Sequence, residues 1–211
     1  MALAAEPGES DVTTSHDHGE FLYTTTDSIS LESGNISEAS LESNMSTYRW
    51  TGLYGNVTGN IVLGDSNSNQ LFAWTAQGRV VYASELATIN WANLADADWA
   101  ATETDYTFLN VSGSADDYNN TFAGAAENIG SLIFTTLTSD YATTLSSGST
   151  TWKTYSLTDA SGGTDIIFAG RVVQSGTTYN GETADFQMIL PEDGTANDNT
   201  PTTFNLWVEL V

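Results

Sequence analysis

The chain has 211 residues and sets 27 acidic against four basic side chains, a formal net charge of −23, with no cysteine. Four cations cannot line a nucleic-acid backbone, and an anionic membrane surface repels so many carboxylates. Disulfides, thiolate metal ligands and cysteine nucleophiles are excluded, and so one-signed a fold needs salt or bound cations to screen it.

Residues 1–19 are polar, with Pro7, Gly8 and Gly19, and read as a flexible arm. Phe21, Tyr23, Ile29 and Leu31 then fall on odd positions around Thr25 and Asp27, the period of a half-buried strand with a polar middle. Residues 32–47 read as a Ser/Asn/Glu-rich loop. Strands are predicted over 48–54 and 56–63, where Val57, Ile61 and Leu63 alternate, with a turn over 65–69. Residues 70–74 and 79–83 read as a hairpin around Gln77-Gly78. Trp91, Leu94, Ala95 and Trp99 have the i, i+3, i+4, i+8 spacing of a helical stripe, so a short helix within 84–100, capped by Ser84, is predicted.

Further along, 106–111 reads as a strand, 112–120 as an acidic loop, 122–129 as a helical turn, 132–137 as a strand and 139–150 as a Ser/Thr loop. Strands follow over 151–157 and 166–173. An Asn180-Gly181 turn precedes a strand over 184–190, in which Ala184, Phe186, Met188 and Leu190 share a face. A loop over 191–201 leads to a closing strand over 204–211. Roughly ten strands spaced ~8–12 residues apart predict a mainly β fold, an antiparallel β-sandwich of jelly-roll or Ig-like type with one or two short helices. The expected organisation is an arm, 1–19, and one sandwich domain, 20–211, in which 20–31 is an edge strand or one exchanged with a neighbour. No run of about 20 apolar residues exists to span a membrane.

Groups able to carry chemistry are few. His16 and His18, with Glu20 in the same row, form an alternating set suited to Zn²⁺ or Ni²⁺ if another ligand joins; a solvated arm with incidental histidines is the competing reading. Asp65, Asn67 and Asn69 stand at positions 1, 3 and 5 of a calcium-type loop, but Gln70 replaces its glycine and Ala76 its bidentate acid, so a plain Asx-rich turn competes. Asp116 and Asp117 with Asn119, and Asp193 with Asn197 and Asp198, are similar oxygen-rich pairs. No cofactor is assigned beyond Ca²⁺ as the candidate for these oxygen-rich loops, and no catalytic residue is assigned, because among 27 acids some pair always lies at a glycosidase separation. Trp50, Trp74, Trp91, Trp99, Trp152 and Trp207 suit core or inter-subunit contacts better than a sugar platform. Asn35, Asn44, Asn56, Asn110 and Asn119 lie in Asn-x-Ser/Thr sequons that would accept glycans on an exported chain.

Several runs carry a resemblance: Trp50 to Gly59 (WTGLYGNVTG), Ile61 to Asp65 (IVLGD), Leu71 to Trp74 (LFAW), Val80 to Ser84 (VVYAS), Phe186 to Pro191 and Phe204 to Leu210 (FNLWVEL). In outline, residues 48–211 resemble archaeal cell-surface and pilin-like proteins of haloarchaeal type, a group without an assigned activity. The resemblance implies an exported β-rich protein of the cell surface, or of a virion, in a high-salt environment. Pilin-like relatives carry a hydrophobic N-terminal helix where this chain has a polar arm. The expected function is a structural, non-enzymatic subunit that forms a homo-oligomer or polymer, with Phe21, Tyr23, Ile29 and Leu31 as a candidate assembly strand. A viral capsid, spike or tail component and a glycan-binding adhesion module are the alternatives.

Overall fold

Alternation of apolar side chains along the strands decides the architecture. The computed structural model describes residues 8–9, 47–97, 106–111, 113–159, 166–192 and 201–211. In chain order the strands are β1 (Gly8–Glu9), β2 (Trp50–Gly55), β3 (Asn60–Gly64), β4 (Gln70–Thr75), β5 (Gly78–Ser84), β6 (Leu94–Asp96), β7 (Gly124–Asn128), β8 (Thr138–Thr144), β9 (Trp152–Asp159), β10 (Ile166–Arg171), β11 (Gly176–Thr177), β12 (Thr183–Ala184), β13 (Phe186–Pro191) and β14 (Asn205–Leu210). One turn of α-helix, α1 (Tyr118–Thr121), and 3-10 turns at Trp91–Asn93 and Thr107–Leu109 complete the set. The fold is mainly β, a β-sandwich built on one large antiparallel sheet, as the strand spacing predicts.

That sheet runs β1-β14-β5-β10-β9-β8-β7, and β6 pairs with the far end of β9, where Leu94–Asp96 lie opposite Leu157–Asp159. Its central strands are buried on both faces, which is why residues 80–83 and 166–169 read as continuous apolar runs. On one face Val81, Ala83, Ile166 and Phe168 meet Phe186, Met188 and Leu190 of β13, with Tyr106, Leu109, Tyr118 and Phe122 closing the side. On the other, Val80, Tyr82, Tyr155, Leu157, Ile167 and Ala169, with Trp207 of β14 beside Tyr82, pack against Ile89, Trp91 and Ile129. The β2–β13 pair forms the second layer and is tied to β9 by Ile189 N donating to Thr154 Oγ1 at 3.1 Å.

Several local expectations are corrected. The predicted hairpin around Gln77-Gly78 does not form: β4 pairs back onto β3, and β5 pairs with β14 and β10. The Trp91/Leu94 stripe is not a helix among the described residues. Trp91 is set by ring contacts to Tyr82 (5.1 Å) and Trp207 (5.8 Å), and the backbone from Leu94 is captured by β9. Residues 107–109 make a 3-10 turn instead of a strand, and the helical turn falls at 118–121, leaving 124–128 as β7. The expected strand over 132–137 is a turn, held by Glu209 Oε1, which accepts from Leu132 N (2.7 Å) and Ile133 N (3.2 Å). β8 instead occupies the segment read as a Ser/Thr loop. Its inward positions are small, Ser139 and Ala142, and Ser139 Oγ donates to Ser156 O at 2.8 Å.

The expected strand of Phe21, Tyr23, Ile29 and Leu31 lies outside the described residues, as do His16, His18, Glu20, Asn35 and Asn44. Gly8–Glu9 pair with Trp207–Val208 on the outer edge of β14.

Candidate functional site

Five residues, 65–69, turn β3 into β4 and produce a part of the described chain that stands apart from the sandwich. Asp65 builds the turn. Its Oδ1 accepts from Asn67 N (3.0 Å) and Asn69 N (2.9 Å), and its Oδ2 accepts from Asn69 Nδ2 (2.8 Å). The backbone closes with Ser68 N to Asp65 O and Asp65 N to Asn69 O, and Ser68 takes φ = 66°. The Asn69 side-chain amide and then its backbone N–H hold the Asp65 carboxyl below its usual range.

The ribbon that results is apolar and, among the described residues, exposed. Ile61 lies opposite Trp74 and Leu63 opposite Phe72, so all four share one face. They are 46%, 49%, 51% and 56% exposed, for Ile61, Trp74, Leu63 and Phe72 in that order. The Phe72 and Trp74 rings touch, with centroids 4.8 Å apart. A bulge between Leu63 and Gly64 accommodates Leu71, 82% exposed. Among the described residues neither outer edge of the ribbon pairs with another strand. Asp65 is the sole ionisable side chain in residues 60–75.

The root of the ribbon is fixed. Gln77 and Val211 exchange two backbone hydrogen bonds, both 3.0 Å. Two glycines permit close approach there: a Cβ on Gly59 would stand 2.7 Å from the Leu210 methyls, and one on Gly78 2.6 Å from Val57 Cγ1. A shallow cleft of about 450 Å³ opens beside the root, lined by Val57, Thr58, Gly59, Asn60, Thr75 and Ala76. None of these is an acid, base or nucleophile matched to another, so the cleft offers no acid–base chemistry.

Asp116 and Asp117 serve the fold, while Asp193, Asn197 and Asp198 lie outside the described residues. Asp116 Oδ1 pairs with Arg49, 7% exposed, and accepts from Ser114 Oγ at 2.5 Å, while its Oδ2 accepts from Thr47 Oγ1 at 2.7 Å. Burial raises the Asp116 carboxyl, but the bonds from Ser114, Thr47 and Arg49 together outweigh it and leave it below the usual range. Asp117 caps α1 by accepting from Asn120 N at 2.8 Å. The two neighbouring acids thus face different partners. Among the described residues no three His, Cys, Asp or Glu side chains converge. The sequon residues Asn56, Asn110 and Asn119 are exposed. Of the tryptophans, Trp91, Trp152 and Trp207 are core residues and Trp74 is on the surface; Trp99 lies outside the described residues.

Sequence reasoning missed a second charged centre. Glu127 on β7 accepts from Lys153 Nζ (2.7 Å) and Tyr155 Oη (2.6 Å), with Arg171 Nη2 at 3.4 Å. Lys153 also lies over the Tyr141 ring, 3.9 Å from its centroid. The Lys153 and Tyr155 bonds pull the Glu127 carboxyl below its usual range, and burial pushes the Tyr155 hydroxyl up. The signal available beforehand was scarcity: in a chain with four cations, each is worth pairing. Among the described residues the ion pairs engage two acids, Asp116 and Glu127, and three of those cations.

Among the described residues no helix is long and apolar enough to cross a membrane. Comparison with known proteins finds no family model, no curated protein and no solved structure that matches the chain.

Proposed function

We propose that the chain is a structural, non-enzymatic subunit of an extracellular archaeal assembly, a pilus-like filament or surface layer, that works in high salt and self-associates through β-strand and aromatic contacts. The observation that carries this reading is the β3–β4 ribbon, which presents Ile61, Leu63, Phe72 and Trp74 to solvent on a chain of net charge −23. Contiguous apolar patches of this kind mark interaction sites. The acidic surplus supports a saline setting, where the Debye length falls to ~3 Å at 1 M. The resemblance of residues 48–211 to archaeal cell-surface proteins points the same way, and the exposed sequons at Asn56, Asn110 and Asn119 suit an exported glycoprotein. Nucleic acid is not a partner on this reading, and Ca²⁺ enters only as a counter-ion for surplus carboxylates.

Electron microscopy of the purified full chain in molar NaCl tests the reading. Ordered filaments or lattices are expected. Dispersed single particles at every salt and protein concentration would overturn it. Recovery of the chain from purified virions, and not from uninfected cells, would move the same chemistry to an archaeal virus. One observation favours a second reading: the touching, exposed rings of Phe72 and Trp74 suit stacking on a sugar. Titration of tryptophan fluorescence with a broad glycan panel decides it, since saturable quenching lost in W74F requires a sugar on that ring.

A further inference from the structure

We infer that the occupant of the β3–β4 ribbon is the same ribbon of a second copy, laid face to face about a two-fold axis, with Ile61 and Leu63 of each copy against Phe72 and Trp74 of the other. This rests on the reading of the chain as a self-associating subunit and specifies the surface and the partner. A longer assembly then uses a second surface in addition to this closed contact.

Charge selects the partner. Two copies at −23 each repel wherever acids face acids, yet residues 60–75 carry one ionisable group, Asp65, at the tip of the turn. The ribbon is therefore a place where two copies meet at low electrostatic cost, and the one among the described strands that also exposes a contiguous apolar face. The pairing is also self-complementary. β3 contributes the aliphatic pair and β4 the aromatic pair, so a two-fold rotation that lays β3 over β4 sets rings on branched aliphatic chains. The area suffices: the four side chains expose on the order of 500 Å² per copy, so a face-to-face pair reaches the ~1,000 Å² that separates a specific interface from an incidental contact. A two-stranded ribbon alone is marginal in water, and covering its apolar face completes it. The fixed root at Gln77 and Val211 presents that face without a hinge to order on binding.

Sedimentation velocity of the full chain across a NaCl series, at fixed protein concentrations, tests the inference, with the double variants F72S/W74S and I61T/L63T beside the wild type. Salt screens the repulsion and strengthens apolar contact, so the wild type should pair more tightly, by at least about tenfold in Kd, between dilute and molar NaCl. Each double variant should weaken the pair by at least about tenfold with the melting temperature of the sandwich unchanged. A wild type that assembles while both variants pair equally well overturns the ribbon contact and leaves the subunit reading standing. A wild type that is monomeric at all salts overturns both. Flotation with phosphatidylcholine vesicles runs in parallel, and vesicle binding by a monomer, lost in F72S/W74S, would replace the second copy with a lipid surface.

Discussion

β5 and the β3–β4 ribbon are written in the same alphabet. β5 carries Val80, Val81, Tyr82 and Ala83, each at most 4% exposed, and the ribbon carries Ile61, Val62, Leu63, Phe72 and Trp74, each at least 43% exposed. Both are continuous apolar runs, and both are flanked by turn residues. The difference is what topology lays against them. β5 sits between β14 and β10, with β13 over one face and the turns at 89–91 and 129–137 over the other. The ribbon leaves the sandwich at Gly59 and returns at Gly78, and among the described residues no strand lies on either of its faces. Apolar strand character therefore marks surface to be covered, and whether the chain covers it itself is decided elsewhere in the sequence.

The sharpest way to break this comparison is to delete one large ring from each region. Phe168 on β10 is fully buried, contacting Tyr106 and Phe122. Phe168→Ala should cost about 3–5 kcal/mol through lost burial and the cavity left behind. Phe72→Ala should change the stability of the unassociated chain by less than about 0.5 kcal/mol. Urea unfolding at low protein concentration and constant molar salt measures both. Equal costs would mean that the ribbon is packed as tightly as the sheet, contrary to its exposure.

Glu209 probes how loops cover the buried face. It lies on the last strand with no solvent exposure, and its Oε1 pins the turn at Leu132 and Ile133. Glu209→Ala leaves two inward N–H groups unpaired and should cost about 3 kcal/mol, while Glu209→Gln keeps an acceptor oxygen and should cost about half as much. Amide exchange localises the effect: protection at Leu132 and Ile133 should fall in the Ala variant and survive in the Gln variant. If both variants lose it alike, the carboxylate's charge, and not its acceptor oxygen, holds that turn.

Glu209 also shows why parts of the fold were illegible. The strands over 48–54, 151–157, 166–173, 184–190 and 204–211 were readable because their burial follows period two or a continuous apolar run. The segment 132–137 is as apolar as a strand, but its backbone is claimed at Leu132 by the side chain of Glu209, 77 residues away in sequence. β8 is the reverse case: its inward Ser139 and Ala142 give no hydrophobic signal, and a hydrogen bond to Ser156 O does the work that side-chain burial does elsewhere. The helical spacing of Trp91 and Leu94 was real, but ring packing on Tyr82 and Trp207 outweighed helix formation over so short a stretch. Pairing was the least legible quantity: 70–74 was read as the partner of 79–83, whereas the turn over 65–69, read as an Asx-rich turn or a calcium-type loop, pairs β4 with β3. The residues of the candidate site were thus legible as apolar strand positions, while their exposure was not, since apolar runs look alike in covered and uncovered strands.

Acid titration separates the two regions by the smallest effects. Asp116 ties the start of β2 to the loop before α1, and Asp65 ties only the ribbon turn; both carboxyls are held below their usual range. A depressed folded pKa adds stability that is present above the unfolded value, ~3.9 for aspartate, and is lost as pH falls through the lower folded value. Glu127 acts with the same sign. Asp96 acts oppositely: burial, with Asp140 nearby, raises it, so its contribution is present below the unfolded value and is lost as pH rises through the folded one. Acid also neutralises the surplus carboxylates, which at low salt relieves repulsion and hides the loss; molar NaCl removes that compensation. In molar NaCl the melting temperature should therefore fall as pH drops below about 4. Asp116→Asn should flatten that fall and cost about 1–2 kcal/mol near neutrality, because Arg49 is left buried beside a neutral partner. Asp65→Asn should leave both the midpoint and its pH slope where they were, since its carboxylate is in solvent and touches nothing in the sandwich. A shift as large as that of Asp116→Asn would show that ribbon and sandwich unfold as one cooperative unit, with the ribbon's turn contributing to a stability that its exposed faces do not.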